Sequence, residues 1–173
     1  MINGELIDLR SLEYEDLSKL RDWRNSEHIR KSTREYRLLN MIDQKNWFES
    51  IHMASPKAIM FGIIKNEKLI GVTGLTYIDW KNRHAEISIY IHKKGWQKMP
   101  EAKDTLLTVM SYGFGELNLH RLWVEIFETT PENIRLFKKM KFVSEGKNRQ
   151  KLWRNNKWWD SRFFSILSNE FKK

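Results

Sequence analysis

The sequence of 173 residues contains no cysteine, only three prolines and no long apolar run. Without cysteine, neither a disulfide framework nor thiolate chemistry is available. No apolar run approaches the roughly 18 residues that a membrane-spanning helix needs. The first residues, Met1 to Asp8, also lack the basic start and apolar core of a signal peptide. We therefore expect a soluble, cytoplasmic protein without a membrane partner.

The residues that are present suffice for one substantial core. Hydrophobic residues make up 40% of the chain and aromatic residues 13%. The chain shows no linker, repeat or low-complexity segment, and its length is typical of one domain. We predict a single domain over residues 1–173.

The chain is strongly basic, with 31 Lys and Arg against 22 Asp and Glu and a net charge of +9. This excess favours an anionic substrate or cofactor and argues against a polycationic substrate, although a local acidic pocket would override that argument. A generally solvated basic surface explains the charge equally well. A nucleic-acid partner stays open but is not favoured, since it requires the basic residues to gather on one face.

The first half of the chain has short periodic segments separated by polar stretches. Alternation predicts one strand, and leucines at helical spacing predict a helix. The predicted elements are a strand over 5–12, a helix over 15–23, a short helix capped by Ser26, a loop over 31–40 that covers the site, and a helix over 44–52 with Asp43 as its N-cap and Ser55-Pro56 as its end.

The second half begins with strands and then alternates strands with helices. We predict strands over 58–64, 69–77, 84–91 and 121–127, a turn over 65–68, a helix opened by Pro100 with an apolar face of Leu106, Leu107, Met110, Phe114 and Leu117, a helix over 132–140, and a hairpin of 142–153 and 157–167 around a turn at 154–156. This order predicts an α+β fold with a largely antiparallel central sheet.

A basic loop lies between the fourth predicted strand and the helix at Pro100. Its end, Gln97-Lys-Met-Pro-Glu-Ala102, resembles the Gln/Arg-x-x-Gly-x-Gly/Ala loop of the GCN5-related N-acetyltransferases (GNAT), in the subgroup that acetylates ribosomal-protein termini, polyamines and amino sugars. Tyr112-Gly-Phe114 and Leu119-His-Arg121 support this register. Pro100 replaces the central glycine and removes one amide that would face a phosphate. Three lysines offer compensating charge: Lys93, Lys94 and Lys98.

A second segment resembles the family's Asn-x-x-Ala/Ser-x-x-Leu-Tyr…Gly-Phe helix. Here it reads Thr130-Pro-Glu-Asn-Ile-Arg-Leu-Phe137, followed by Lys141-Phe142. Phe137 stands where the family often has a tyrosine that protonates the leaving thiolate, and a phenyl ring cannot donate that proton. Thr130 and Lys141 replace the asparagine and the glycine. Tyr90 or Tyr112 is an alternative acid if its side chain points into the cleft.

The resemblance implies a GNAT fold of about seven strands, in which the fourth and fifth strands splay apart and acetyl-CoA inserts between them. The pyrophosphate would sit at the start of the helix at Pro100, and a backbone N–H near Ile89 to Ile91 would hold the oxyanion. The residues implied to bind acetyl-CoA are Ile89, Tyr90, Ile91, Gln97, Lys98, Met99, Pro100, Glu101, Ala102, Thr130, Asn133 and Phe137.

Glu86, on the fourth strand, matches a glutamate that some family members use as a general base, directly or through water. A carboxylate serves as a base when its surroundings raise its pKa. Alternatively, Glu86 is a strand residue that pairs with a neighbouring Lys or Arg. His84 and His120 are further candidates, although histidines at strand ends are more often structural.

The acceptor side is expected to come from the first helices and the last hairpin. Trp23-Arg24-Asn25 is similar to an element of the subgroup, and Trp159 lies in the segment that matches its closing hairpin. Arg24, Arg34 and Arg37 would hold a phosphate of the acceptor.

The sequence thus predicts an N-acetyltransferase that moves acetyl from acetyl-CoA to a primary amine by direct attack. The net charge favours a nucleotide-linked amino sugar, and a protein N-terminus is the second choice. The alternative is a catalytically impaired relative that binds CoA, nucleic acid or a protein. No metal site is predicted, and a homodimer stays open.

Overall fold

The structure, a computed structural model, describes residues 1–52 and 56–172. Its centre is a sheet with the strand order β1-β2-β3-β4-β5-β6-β8-β7. All neighbouring strands are antiparallel except β5 and β6, which are parallel. The strands are β1 (Ile2–Asn3), β2 (Asp8–Ser11), β3 (Ile59–Lys65), β4 (Lys68–Asp79), β5 (His84–Ile91), β6 (Arg121–Phe127), β7 (Val143–Arg154) and β8 (Lys157–Leu167).

Within the described residues, five α-helices flank this sheet, and α4 contacts β4 and β6. They are α1 (Leu17–Asn25), α2 (Glu27–Arg30), α3 (Met41–Ser50), α4 (Pro100–Gly115) and α5 (Pro131–Lys139). The predicted α+β fold is confirmed, and the strand beyond the predicted seven is the short β1. Within the described ranges, no helix is both long enough and apolar enough to cross a membrane.

The strands that position the site follow the sequence pattern closely. β5 and β6 have the predicted bounds, and α4 begins at Pro100, whose missing N–H lies in the first turn. Leu106 and Met110 of α4 are fully buried, as its apolar face predicts, whereas Leu117 lies beyond its end.

The prediction of one strand over 5–12 is wrong, because its first three residues bind a helix instead of a neighbouring strand. The backbone N–H groups of Glu5, Leu6 and Ile7 donate to the Asp104 carboxylate of α4, at 3.1, 2.7 and 3.1 Å. These amides are therefore lost to the sheet, and only β1 and β2 pair on either side of them. The local alternation could not reveal a partner in a helix so far along the chain.

The capping of two helices also differs from the prediction. Asn40, not Asp43, is the N-cap of α3: its side chain accepts from the N–H groups of Ile42 and Asp43, and Asp43 accepts from Asn40 N–H. Asp43 completes this capping box from the third helical position. Ser26 is the N-cap residue of α2, as predicted, but its hydroxyl donates to Trp23 C=O instead of to an N–H of the helix. α3 ends at Ser50, before the predicted His52, and Ser55 of the predicted stop signal lies outside the described residues.

The two tight turns follow from residues that tolerate positive φ. Asn66 and Glu67 join β3 to β4 at φ of 48° and 62°, and Asn155 and Asn156 join β7 to β8 at 54° and 56°. Two successive residues of positive φ form the turn whose twist matches the adjoining strands. The 154–156 turn is therefore two residues long.

Candidate functional site

The sheet opens between β5 and β6. These strands pair from His84 opposite Arg121 to Glu86 opposite Trp123, and among the described residues the rest of β5 has no partner on this side. Backbone groups alternate along a strand, and the N–H of His92, just beyond β5, donates to the C=O of Ile70 in β4. The backbone groups of Ile89 and Ile91 therefore face the gap. These free N–H and C=O groups could form hydrogen bonds with an extended ligand that has amide groups of its own.

Two buried carboxylates lie where the strands separate. Glu86 of β5 and Glu125 of β6 have side chains that are 6% and 4% exposed. The Glu125 N–H, which no longer has a β5 carbonyl to bind, donates to Glu86 Oε1 at 3.2 Å. The Glu86 carboxylate thus replaces the broken strand pairing.

One guanidinium holds both carboxylates. Arg34, from the loop between α2 and α3, donates from Nη1 and Nη2 to the two oxygens of Glu86 at 2.9 and 2.7 Å. Its Nη2 also lies 2.7 Å from Glu125 Oε2, and its Nε lies 3.2 Å from the same atom. Burial would lower the pKa of Arg34, but its bonds to Glu86 and Glu125 raise that pKa above its ordinary value. The guanidinium is charged at any physiological pH.

Glu125 has a second partner on β8. Ser161 donates from its hydroxyl to Glu125 Oε1 at 2.6 Å. Burial would raise the pKa of Glu125, but the bonds from Ser161 and Arg34 outweigh it and hold that pKa below its ordinary value. Glu125 is therefore an anion at neutral pH.

A cleft of about 500 Å³ surrounds these carboxylates. It is walled by α1, the loop before α3, α3 itself, strands β4 to β6 and α5, and a second cavity of about 400 Å³ shares several of its residues. The two cavities are lined by equal numbers of opposite charges: Arg24, Arg34, Arg37 and Lys57 against Glu35, Asp43, Glu86 and Glu125. The excess positive charge of the chain lies outside the cleft, so it gives no support to an anionic acceptor.

Two of the three predicted phosphate-binding arginines are engaged with acids. Arg34 holds Glu86 and Glu125, and Arg37 forms a salt bridge with Glu35 at 2.8 Å. Arg24 lines both cavities and has no acidic partner among the described residues. It alone of the three is available to an anionic group.

Tyr90 is placed in the cleft and Tyr112 is not. Tyr90 lines both cavities, whereas Tyr112 of α4 packs edge-on against Phe61. Burial raises the pKa of Tyr90 above its ordinary value, while the charge of Arg24 opposes that rise. The phenol is thus protonated at neutral pH and can donate a hydrogen bond. Phe137 of α5 also lines the larger cavity, with its ring edge-on to Phe142.

The loop that precedes α4 contacts helix α5 beside the gap. Gln97 donates to Asn133 at 2.7 Å, so these two predicted cofactor-binding residues lie together. The loop forms a short turn at Trp96–Lys98, in which the N–H groups of Trp96, Lys98 and Met99 bond within the loop itself. Few amides therefore remain here for a phosphate.

The start of α4 carries a buried acid instead of a glycine-rich cradle. Pro100 has no N–H, and the buried Glu101 carboxylate pairs with Lys65 of β3. Ala102 is fully buried, and its N–H donates to Met99 C=O. Positive charge at this end of the cleft comes from exposed lysines without an acidic partner among the described residues: Lys93, Lys94 and Lys98.

Several predicted site residues have other roles in the structure. Trp23 stacks on His92 at 4.8 Å between ring centroids. The Asn25 side chain donates to Leu39 C=O and accepts from Leu39 N–H. Trp159 donates to Arg154 C=O and lies under the Lys157 ammonium. The Thr130 hydroxyl turns back to Phe127 C=O. None of these four side chains lines the two cavities described above.

Sequence reasoning did not single out Glu125 and Ser161. Glu125 is an acid in an otherwise apolar half of β6, Val124-Glu125-Ile126-Phe127. A carboxylate between buried residues requires a hydrogen-bond donor or a cation as its partner. The sequence pattern of β6 therefore indicates that Glu125 is a paired acid. Ser161 gives no comparable signal.

Comparison with known proteins agrees with this architecture. Residues 9–163 match the model of the acetyltransferase (GNAT) domain. The chain belongs to the GNAT acetyltransferase family. It is 32% identical, over 78% of its length and 80% of the relative's, to the uncharacterized N-acetyltransferase YoaA of Bacillus subtilis. It is 27% identical, over 61% of its length and 60% of the relative's, to the spermidine N(1)-acetyltransferase of Vibrio cholerae.

The fold is shared with a solved member of the family. The crystal structure of spermidine N-acetyltransferase from Vibrio cholerae in complex with CoA and spermine superimposes with a TM-score of 0.86, at 24% identity. The superposition covers 96% of this chain and 98% of that one. The predicted family, the predicted enzyme class and acetyl-CoA as the acetyl donor are confirmed.

Proposed function

We propose that this N-acetyltransferase acetylates a small primary amine that is cationic at neutral pH, and that Glu86 removes the proton. The Glu86–Glu125 pair at the mouth of the gap carries this proposal. Two carboxylates attract an ammonium and would repel the phosphate of a nucleotide-linked amino sugar. The Vibrio cholerae relatives that act on spermidine or hold spermine support a small amine as acceptor.

The thioester would enter the gap beside Ile89 and Ile91. Their free N–H and C=O groups match the amides of pantetheine, and an N–H of this edge would bind the oxyanion that forms during attack. Ile89 is three residues beyond Glu86, or about 10 Å at about 3.3 Å per residue. A water therefore carries the proton from the amine to Glu86.

The reaction balances without a further reactant. The ammonium loses one proton through water to Glu86, and the free amine then forms a C–N bond with the thioester carbon. Collapse of the tetrahedral intermediate breaks the C–S bond and expels the CoA thiolate. The nitrogen loses its second proton, the sulfur gains one, and one proton in all is released to solvent.

Tyr90 is the proposed donor to the leaving sulfur. Its protonated phenol lines the cleft and supplies the O–H that Phe137 lacks. A positioned acid of this kind contributes to the rate by stabilising the thiolate as it forms.

The lysines of the 92–99 loop are the proposed site for the phosphates. Because the loop amides are engaged internally and Pro100 has none, charge attraction must supply most of the affinity here. We expect acetyl-CoA to bind in the micromolar range at low salt and to weaken markedly at moderate salt, because exposed charges are screened. Calorimetry at the two salt concentrations measures this. If the affinity for acetyl-CoA does not depend on the salt concentration, the phosphates do not bind at these lysines.

The direct test is CoA release from acetyl-CoA with a panel of acceptors. The panel contains an alkyl monoamine, an alkyl diamine, an amino sugar and a peptide with a free N-terminus. We expect release with the alkyl amines. Glu86→Gln keeps the shape of the side chain but cannot accept the proton, so kcat should fall about 100-fold.

Glu128→Gln is the matched control, because Glu128 pairs with Arg162 outside the cleft. It should leave kcat unchanged. Release only with the amino sugar or the peptide would refute the proposed acceptor. Full activity of Glu86→Gln would refute the proposed base.

A further inference from the structure

The guanidinium of Arg34 marks a position suited to an ammonium. Its Nη2 lies 2.7 Å from Glu86 Oε1 and 2.7 Å from Glu125 Oε2. A primary ammonium nitrogen at that point would be within hydrogen-bond distance of both carboxylates and would still have one N–H to spare.

Arg34 occupies the position from which one cation contacts both carboxylates. It binds both oxygens of Glu86 and Oε2 of Glu125, while Ser161 binds the remaining Oε1 and Lys151 Nζ lies 4.0 Å from it. With Arg34 in place, an acceptor ammonium cannot take that shared position.

We propose that Arg34 is an internal substitute for the acceptor's ammonium, and that an acceptor binds only when Arg34 turns away. This inference rests on the proposed function and narrows its acceptor class. A neutral or anionic acceptor brings nothing that replaces the guanidinium. A diamine that is protonated at neutral pH does: one of its ammonium groups takes the position of Arg34 Nη2, while the other amine lies near Ile89 and loses its proton through water to Glu86.

The surroundings allow Arg34 to leave without a movement of the backbone. Its side chain is 42% exposed, whereas both carboxylates are almost fully buried, so the guanidinium closes the solvent side of the group. The loop around it is fixed: Thr129 donates to Lys31 C=O at 3.0 Å, and Arg154 donates to Thr33 C=O at 3.1 Å. The Tyr77 ring, 5.5 Å from Arg34 Cζ, offers an adjacent face for a displaced cation.

This arrangement lowers the apparent affinity for the acceptor. When only a fraction of the molecules is competent to bind, the apparent dissociation constant rises by the inverse of that fraction. If Arg34 covers the carboxylates in about nine-tenths of the molecules, its removal strengthens acceptor binding about tenfold.

The test is Arg34→Ala, with 1,4-diaminobutane as the acceptor. We expect KM for the amine to fall about tenfold while kcat stays within about twofold. The matched control is Arg21→Ala, which removes an arginine that pairs with Asp22 on α1, away from the cleft. It should change neither constant. An unchanged or raised KM in Arg34→Ala would overturn the proposal.

Methylguanidinium gives the sharper readout, because it can refill the vacated position. In Arg34→Ala it should compete with the amine and bring KM back towards that of the unsubstituted protein. If Arg34 instead positions Glu86 for catalysis, Arg34→Ala will have a low kcat that methylguanidinium restores. That opposite sign would refute our proposal.

Two measurements keep the test independent of folding and of turnover. If the two carboxylates without a partner prevent Arg34→Ala from folding, Arg34→Lys leaves a cation with fewer donors, and its KM should still fall. If no amine is acetylated at all, the proposed function fails. The inference then depends on calorimetry with 1,4-diaminobutane alone: tighter binding to the Arg34 variant supports it, and equal binding refutes it.

Discussion

Asp104 and the Glu86–Glu125 pair are both buried carboxylate sites, and the protein holds them differently. Asp104 of α4 receives three backbone N–H groups from residues 5–7, which are part of the folded chain. Glu86 and Glu125 share one guanidinium on a long side chain from a loop. A carboxylate held by the backbone is released only when the segment unfolds. Arg34 is the side chain that contacts both acids, so its rotation uncovers the pair, while Ser161 and Lys151 still hold Glu125. The first arrangement suits structure, and the second suits binding and proton transfer.

Removal of the Asp104 carboxylate should have the largest effect on stability and little effect on turnover. Asp104→Ala leaves three amides without an acceptor, and we expect the free energy of unfolding to fall by about 3 kcal/mol. Urea unfolding measures this loss, and kcat per folded molecule should be unchanged. Asp22→Ala is the control, since Asp22 is exposed and pairs only with the adjacent Arg21.

A small loss of stability accompanied by a large loss of kcat in Asp104→Ala would break the comparison. The carboxylate in α4 would then belong to the catalytic machinery rather than to the anchoring of the N-terminal segment.

The tyrosines offer a matched pair across the same two regions. Tyr90 lies in the cleft, and Tyr112 lies on α4 against Phe61. Tyr90→Phe should lower kcat about tenfold at an unchanged KM for the amine, because it removes only the donor to the leaving sulfur. Steady-state kinetics at saturating acetyl-CoA measure this.

Tyr112→Phe should have no effect on kcat. Equal rates in the two variants would show that solvent protonates the thiolate. The absence of a tyrosine at position 137 would then be of no consequence for the reaction.

The same contrast explains which parts of the structure could be predicted from the sequence. Local signals predict the elements around the gap. Alternation predicts β5 and β6, and a proline followed by an apolar stripe predicts α4. The position of Glu86 on β5 follows from them too. The role of Arg34 does not, because its loop has no period and its partners lie 52 and 91 residues away. Asp104 likewise binds the N–H groups of residues 5–7, which are distant in sequence, although the local pattern predicts a strand there.

The net charge misled for a related reason. A composition counts charges without their positions, and the cleft is lined by equal numbers of both signs. The net charge of +9 therefore reflects the outer surface of the protein, and it does not indicate which class of acceptor the cleft binds. The burial of Glu86 and Glu125 is a property of the fold alone.

The smallest expected effect concerns the acid sensitivity of Glu125. Its pKa is lower in the folded protein than the ordinary 4.5, so it stabilises the fold above about pH 4.5, and this contribution is lost as the pH falls through the folded pKa. Ser161→Ala removes one of the bonds that lower that pKa. We expect a loss of about 1 kcal/mol at pH 7 that shrinks as the pH falls below 4.5.

Ser165→Ala is the control on the same strand, since Ser165 donates to Glu145, a more exposed acid held chiefly by Arg121. Solvent screens that pair, so its loss should be smaller. Urea unfolding of both variants from pH 7 to pH 3 compares them. If Ser161→Ala loses the same stability at every pH, the Ser161 bond does not act through the charge of Glu125. The low pKa of Glu125 would then be due chiefly to Arg34.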